Sequence, residues 1–596
     1  RVYAGGLLGG LTEYDGRTGT IRDVDPYPTF AGFQEPSKLA ARFNWNAPVL
    51  VSRHRPGTIY HGGNRLFRSV DRGLNWQAIS PDLTRARPET LGTTGGPIMI
   101  EGAGGEHYAT LTYVAESPHD AQTIWTGSDD GLVHVTRDGG GRWANVTPPG
   151  LPEGQINAID VSPHDPDTAY LAVARYKLND FAPYALKTSD GGRSWSRITR
   201  GLPADSFVRV IRADPVRKGL LYAGTEAGLY VSFDDGAGWQ PLRLNLPTVP
   251  ITDLKVKGDD LVAATQGRAI WVLDDLGPLR EWTPELAARP AHLFQPAPAI
   301  RLEGGGRGGP GGGENPPDGA VFHYHLAQPP AAAVSLEIVD AAGTVIRRFS
   351  STASERAETL LVKGAQGEPP APPLPTAPGL NRYVWNLRVA PAERVGDIIR
   401  FVRNRPYRVA PGRYLARLRI GDQVLERPFE VQAHPGLDPV TDAAWQDQQA
   451  VLARLHAMVS DVHRETNRLR ALARQLRSRP DAAGRGALLR DIAAWEEQVP
   501  QAPLPGGAQD RIGYPSRLLS TQILHLMAMV DQPPPITAAA RARADELGAQ
   551  WARLAAAAAA IRARGARDFG IDVSDDAAAR FDGNIRGEEE DGDALD

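Results

Sequence analysis
The octapeptide Ser69-Val-Asp71-Arg-Gly73-Leu-Asn-Trp76 returns three times further along the chain. The copies are Thr136-Arg-Asp138-Gly-Gly140-Gly-Arg-Trp143, Thr188-Ser-Asp190-Gly-Gly192-Arg-Ser-Trp195 and Ser232-Phe-Asp234-Asp-Gly236-Ala-Gly-Trp239. All four obey S/T-x-D-x-G-x-x-W, and successive tryptophans lie 67, 52 and 44 residues apart. A unit of about 45 residues with loop insertions fits a four-stranded propeller blade. In each copy Asp can accept backbone N–H bonds, Gly permits a positive φ, and the Ser or Thr hydroxyl braces the strand end. Trp is large enough to fill the space between neighbouring strands. Folding alone therefore accounts for the motif, and a structural role is expected for its aspartates.

The flanks repeat too. A turn, a strand and a small-residue pair precede the boxes, as in Ser117-Pro-His-Asp120 before Thr123-Ile-Trp-Thr-Gly127 and Ala213-Asp-Pro215 before Leu220-Leu-Tyr-Ala-Gly224. Gly131-Leu-Val-His-Val and Gly228-Leu-Tyr-Val-Ser then alternate into the box with a strand's period of two.

These four copies form an Asp-box, or BNR, repeat. It resembles the repeat of sialidases, of xyloglucan-cleaving glycosidases with tandem propellers, and of the sortilin luminal domain. Arg175-Tyr-Lys-Leu-Asn-Asp-Phe-Ala-Pro-Tyr184, Gly127-Ser-Asp-Asp-Gly-Leu-Val-His-Val135 and Val249-Pro-Ile-Thr-Asp-Leu254 are similar to a large bacterial family labelled glycosyl hydrolase, BNR-repeat or sortilin-N-terminal-domain protein. The resemblance covers the repeats and runs into the segment after them. It implies a β-propeller with a longer N-terminal part, and its hydrolase label rests on the repeat.

Blade-like units fall near 1–30, 45–80, 108–147, 155–199, 207–243 and 251–275, the first partial and the last without a box. Six incomplete units close poorly, so part of the ring is expected to lie upstream or to be cleaved away. The chain opens as Arg1-Val-Tyr-Ala-Gly5, without a basic or apolar leader. A secreted, periplasmic or cell-surface location is expected from the resemblance.

Composition narrows the remaining classes. Sixty-six basic and 70 acidic residues give a net charge of −4, which excludes a globally basic nucleic-acid binder. No apolar run approaches the roughly 18 residues that span a bilayer. Cysteine is absent, which excludes disulfides, thiolate metal sites and a thiol nucleophile. Sixty-three glycines and 50 prolines point to many turns between short strands.

The expected fold is mostly β: Asp-box propeller blades over 1–280, a linker with a Gly-rich loop over 281–319, an immunoglobulin-like β-sandwich over 320–435, an α-helical bundle over 441–566 and an acidic tail over 567–596. Alternating strands at Val321–Leu326, Val334–Val339, Asn381–Arg388 and Gly412–Arg419 carry the sandwich. The Pro-rich segment Gly367–Pro378 is expected as a surface loop. Trp445, Leu452 and Val459, with Leu455, Val462, Leu469 and Leu476, make a heptad stripe between a Thr441 or Asp442 cap and Pro480. Shorter helical patterns follow at Leu488–Val499, Leu518–Val530 and Ala538–Ala563. A bundle within the chain is the expectation, with a coiled-coil partner as the alternative.

Blade-equivalent loops point to one mouth, so recognition residues are sought there. Glu106, Asp129, Arg175, Tyr176, Lys177, Asp180 and Glu226 are the candidates for substrate binding. The insertion Arg175–Tyr184 is richest in aromatic and charged side chains suited to a sugar or a peptide. Trp45 and the loop Gly92–Glu106 are possible neighbours. Asp129 and Glu226 occupy equivalent turns. A sialidase needs three arginines and a Tyr–Glu pair; Arg175, Arg209 and Arg268 exist, with Tyr108 beside Glu106, but no motif joins them. His323 and His325 share a strand face without a third ligand. No HExxH, P-loop or GxSxG motif is present, no catalytic residue is assigned, and no metal or cofactor is expected. The expected function is a propeller that binds a glycan or a protein segment as an interaction platform. The alternatives are a glycoside hydrolase with paired carboxylates and a structural subunit of a larger assembly.

Overall fold
The computed structural model describes residues 1–93, 107–302, 313–352, 371–395, 405–479, 483–499 and 519–573. The chain is mostly β and divides into two compact units, Arg1–Arg280 and Glu281–Asp596.

Six antiparallel meanders make up the first unit. Val2–Gly5, Leu11–Asp15 and Thr20–Asp23 form a three-stranded sheet. Four-stranded sheets follow: Val49–Val51 to Gln77–Ala78, Leu111–Glu116 to Ala144–Asn145, Gln155–Val161 to Ser196–Arg197 and Val208–Ala213 to Gln240–Pro241. The sixth sheet has three strands, Ile251–Lys257, Asp260–Thr265 and Ile270–Leu273. The first strand of each sheet packs on the opening strands of the sheet before it; Gln155–Val161 lies on Leu111–Glu116 and Ile124–Ser128, for example. This is the blade arrangement of a β-propeller.

The octapeptides are clasps between successive sheets. In each, Ser or Thr Oγ donates to Asp Oδ1 at 2.7–2.8 Å and accepts the Gly N–H at 2.8–2.9 Å. The indole N–H then crosses to the preceding sheet. Trp76, Trp143, Trp195 and Trp239 donate to the carbonyls of Val24, Ile79, Val146 and Ile198 at 2.7–2.9 Å. The same aliphatic side chains press on the box glycines. Gly192 has φ +89°, and a Cβ there would lie 2.8 Å from Val146 Cβ. The tryptophans were expected to be buried. Trp239 is 6% exposed, whereas Trp76, Trp143 and Trp195 are half-buried, because each caps a seam between sheets with only its inner side covered.

The clasp also fixes strand identity. Val24 follows Thr20–Asp23 as Ile79 follows Gln77–Ala78, so the three strands of the first sheet correspond to the second, third and fourth of the others. In the sixth sheet a remnant box keeps Asp275-Leu-Gly277, with Arg280 where the other copies have Trp. The chain there enters the helix Gly277–Glu281 instead of a fourth strand.

A second staple comes from the turns. His54, His119 and His164 each reach the next sheet through Nε2, to the carbonyls of Ser117, Ser162 and Asp214 at 2.8–2.9 Å. Across the inner strands, buried Arg212 bonds Tyr113 Oη and Asp253 Oδ1, both at 2.8 Å, and lies 3.9 Å from Asp160.

In the second unit Ala291–Leu293, Ala320–Leu326 and Gly379–Trp385 form one sheet. Ala299–Arg301, Gln423–Ala433, Gly412–Ile420, Val334–Val339 and Val345–Ser350 form another. Phe322, Tyr324, Leu336, Trp385, Leu418 and Phe429 share their core. The presumed linker thus supplies two strands. The Pro-rich segment over 371–378 is a loop with Pro372, Pro373, Ala377 and Pro378 exposed, anchored by Leu374, which is 3% exposed in that core, and by Tyr324 and Tyr383, which donate to the Pro375 and Pro372 carbonyls.

Helices Asp442–Arg477, Arg485–Glu496, Leu519–Val530 and Ala538–Phe569 pack on one another. Thr441 caps the first through Ala444 N–H, and Leu452, Leu455, Val459, Val462, Leu469 and Leu476 fall in one core with Leu488, Ile523 and Leu547. The stripe is therefore covered within the chain. The last helix outruns its expected end, and Ile571 and Val573 beyond it are buried in the same core. The Gly-rich run 303–312, residues 367–370, Pro480, Leu518 and most of the acidic tail lie outside the described residues.

Candidate functional site
The link between second and third strands sits at the same end of each blade. It contains Asp129 in the third sheet, Tyr176–Asn179 in the fourth and Glu226 in the fifth. Asp129 N–H donates to the Thr110 carbonyl and Glu226 N–H to that of Phe207, which confirms that the two positions correspond. At this end the inner strands bulge at Thr112, Asn157, Arg209 and Thr252. Bulges re-aim side chains at strand ends, and these also tie neighbours. Thr112 Oγ1 donates to the Ile156 carbonyl at 2.7 Å and Asn157 Nδ2 to the Arg209 carbonyl at 2.5 Å.

Two linked clusters occupy the mouth. The first is charged. Asp129 is 8% exposed and accepts bonds from Thr110 N–H and Oγ1, both at 2.9 Å. Burial, reinforced by Asp130, pushes its carboxyl up to about 7 against those bonds and the field of Lys177. Burial also raises Asp130, although Ser128 and Arg85 bond it. Glu153 takes Arg87 Nη2 on both oxygens at 2.7 Å and the Tyr108 hydroxyl on one. Burial pushes Glu153 up, but the Tyr108 and Arg87 bonds outweigh it and hold the carboxylate low. Arg175 donates from Nε to the Glu153 carbonyl at 2.8 Å and pairs with Asp180, which also takes the Tyr184 hydroxyl at 2.8 Å.

The second cluster is aromatic. Tyr176 stacks on Phe207 with centroids 5.0 Å apart at 18°, and Phe181 tilts toward the same ring at 6.4 Å. Arg209 lies over Phe207 at 4.9 Å and bonds Glu226 through Nε at 2.8 Å and Nη2 at 2.7 Å. Tyr176, Leu178 and Phe181 remain 37%, 56% and 46% exposed, and Lys177 beside them is exposed. The insertion leans on the next blade through one ring while presenting its tip to solvent.

The candidates are therefore distributed between two clusters. Arg175 and Asp180 pair directly, Lys177 acts on Asp129 through its field, and Tyr176 meets Glu226 through Arg209. Asp129 and Glu226 bond different partners. Glu106 and most of the loop Gly92–Glu106 lie outside the described residues. Trp45 is 53% exposed, next to Asn44, whose Nδ2 donates to the His107 carbonyl at 3.0 Å. Glu153, Arg87 and Phe207 escaped the sequence reading, and Arg209 was named only among the three arginines of a sialidase. Phe207 and Arg209 flank the start of an inner strand, a place the repeat phase could have marked; no local signal marks Glu153. Among the described residues no group of three or more His, Asp or Glu is arranged to hold a metal, and no helix is long and apolar enough to cross a membrane.

No family model and no curated protein matches the chain. Among solved structures it is similar to YCF48 bound to D1 peptide, at 15% identity over 46% of this chain and 76% of that one, with a TM-score of 0.31. It is also similar to YCF48 from Cyanidioschyzon merolae, at 16% identity over 50% and 85% of the chains, TM-score 0.31. The GH74 xyloglucanase from Xanthomonas campestris matches at 16% identity over 74% and 72%, TM-score 0.33. At these values the likeness assigns neither a site nor an activity to this chain.

Proposed function
We propose that this protein is a recognition module whose propeller mouth binds an extended glycan or protein segment. The carrying observation is the Arg175–Tyr184 insertion, which keeps Tyr176, Leu178 and Phe181 exposed while Phe207 and Arg209 fix the platform beneath. A preformed aromatic surface flanked by oriented charges suits such a ligand because little order must be imposed on binding. In this reading the repeat is an Asp-box repeat, the sheets of the second unit form an immunoglobulin-like sandwich beside a helical bundle, and the protein works outside the cytoplasm. The test is binding to glycan and peptide arrays. Arg175→Ala with Tyr176→Ala should abolish capture while the melting temperature holds; capture unchanged by the pair rejects the mouth as the site.

One observation favours hydrolysis as a second reading. Burial holds the Asp129 carboxyl up at about 7 while the Tyr108 and Arg87 bonds hold Glu153 low, the division a general acid and a carboxylate partner need. Asp129→Asn should then abolish turnover of a bound glycan and leave its binding intact. Absence of turnover in the parent protein rejects this reading alone.

A further inference from the structure
Three arginines beside the aromatic platform are each held by a carboxylate: Arg87 by Glu153, Arg175 by Asp180 and Arg209 by Glu226. The first two carboxylates have further partners. Glu153 takes the Tyr108 hydroxyl, and Asp180 takes the Tyr184 hydroxyl and the Ala182 N–H. Lys177 is the exception. Among the described residues its ammonium has neither a hydrogen bond nor an ion pair. Its field reaches Asp129, but that carboxyl is buried, with both oxygens on Thr110.

The backbone under this lysine is fixed. Tyr176–Leu178 make one turn of 3-10 helix, and Asn179, at φ +58°, returns the chain into Asp180–Thr188. Arg175 and Asp180 close the turn as an ion pair between opposed strand positions. Tyr176 and Phe181 meet at buried Phe207, so their exposed sides form one apolar patch, with exposed Leu178 next to Lys177 in the chain. A glycan is gripped mainly through its hydroxyls, by side chains with free donors and acceptors. Here the charged groups around the patch bond one another, and the tip offers rings, an aliphatic chain and one cation. Exposed Asn179 adds an amide, whose donor and acceptor match a peptide unit.

We propose that the ligand of the mouth is an acidic protein segment, in which Asp or Glu stands next to a large apolar residue. The carboxylate pairs with Lys177 and the apolar side chain lies on the patch of Tyr176 and Phe181. This inference rests on the mouth being the binding site. A charge at an interface rim sets partner choice more than affinity, because a like charge brought to the same place is rejected. Lys177 is therefore a specificity-determining residue, and its effect is read in which sequences are chosen.

The test pans a phage library of random peptides, flanked by glycines, against the full chain. Enriched sequences should place Asp or Glu beside Leu, Ile, Phe, Tyr or Trp. In fluorescence anisotropy with the consensus peptide, blocked at both ends, Lys177→Ala should weaken binding about threefold to fivefold, the worth of an exposed ion pair. Lys177→Glu, panned afresh, should turn the enriched acid into Lys or Arg and keep the apolar residue, a reversal that a merely structural role would not produce. Lys177 is exposed, so the melting temperature of both variants should hold. Enriched peptides without an acid, lost with Arg175→Ala and Tyr176→Ala, overturn this inference and leave the mouth as the site. Capture of glycans with no peptide enriched does the same. Acidic peptides indifferent to Lys177→Glu and to the Arg175→Ala, Tyr176→Ala pair overturn both, as does a failure to enrich any peptide together with a failure to capture any glycan.

Discussion

Asp129 titrates against its surroundings, and the sign of its effect on stability follows. An unfolded aspartate ionises near pH 4, whereas burial holds this one up to about 7. Between those values the folded state binds the extra proton, so folding weakens as pH rises through the window and the loss is complete above the folded value. Three units correspond to something on the order of 4 kcal/mol. Urea unfolding between pH 4 and 8 should show that decline for the parent Arg1–Arg280 unit. Asp129→Asn can accept the Thr110 N–H on its amide oxygen and donate its amide N–H to Thr110 Oγ1, with no charge to bury, so it should flatten the curve. A parallel decline in the variant rejects the assignment. The residue itself was legible, since it sits one step past a Gly-Ser that recurs as Gly-Thr before Glu226. Its buried state was not. Thr110 lies 19 residues away and Lys177 in another blade, and only the packed sheets bring them together.

The repeating elements were the most legible part of the chain, yet their role was misread in one respect. A box looks local because Ser, Asp and Gly bond among themselves, and the sequence shows no receiver for the Trp N–H. Fold places the Val146 carbonyl under Trp195 and the Val146 side chain under Gly192. The histidine turns follow the same logic, since Ser117-Pro-His119 reads as a turn until His119 is seen on Ser162 of the next sheet. A comparison of glycines separates backbone strain from clasp packing. Gly192 and Gly150 both have positive φ, at +89° and +74°, but a Cβ on Gly150 meets nothing within 4 Å. Gly150→Ala should cost only the left-handed strain, about 1 kcal/mol. Gly192→Ala should cost roughly 2–4 kcal/mol, because overpacking against Val146 adds to that strain. Val146→Ala should partly rescue it in a double-mutant cycle read by thermal denaturation; additivity would deny the contact. The helical elements yield a simpler expectation from Leu455, which is 0% exposed. Leu455→Asp buries an unpaired carboxylate, so helicity should collapse, and light scattering should show no change of oligomeric state beforehand.

Across the Arg1–Arg280 unit, sheets are held at three depths: tryptophan clasps and histidine turns between neighbours, and a charged network over the inner strands. Arg212 is the hub of that network. It gathers Tyr113, Asp160 and Asp253 from the third, fourth and sixth sheets and bonds the Leu254 carbonyl as well. Nothing in the sequence singles it out, because its partners stand 99, 52 and 41 residues away on strands whose alternation predicts only that some side chains face inward. Removing one partner of a fully buried ion network typically costs about 3–5 kcal/mol, but Asp253 is exposed, Asp160 is half-buried, and the two keep the Leu254 and Ala213 N–H bonds. Arg212→Ala should therefore cost no more than about 3 kcal/mol. Arg212→Met, which retains apolar volume, should cost less while leaving half-buried Asp160 without its cation. If the network couples the sheets, hydrogen exchange should rise together in Leu111–Glu116, Gln155–Val161 and Ile251–Lys257, not in Val208–Ala213 alone. Exchange confined to the mutated strand would mean that the blades are joined pair by pair through their clasps and that the inner network only fills space. Combining Arg212→Met with Asp160→Asn and Asp253→Asn removes the charges with their partner. That triple variant should recover most of the loss if unpaired carboxylates are the cause, and none of it if the guanidinium's hydrogen bonds to Tyr113 and the Leu254 carbonyl are what hold the strands.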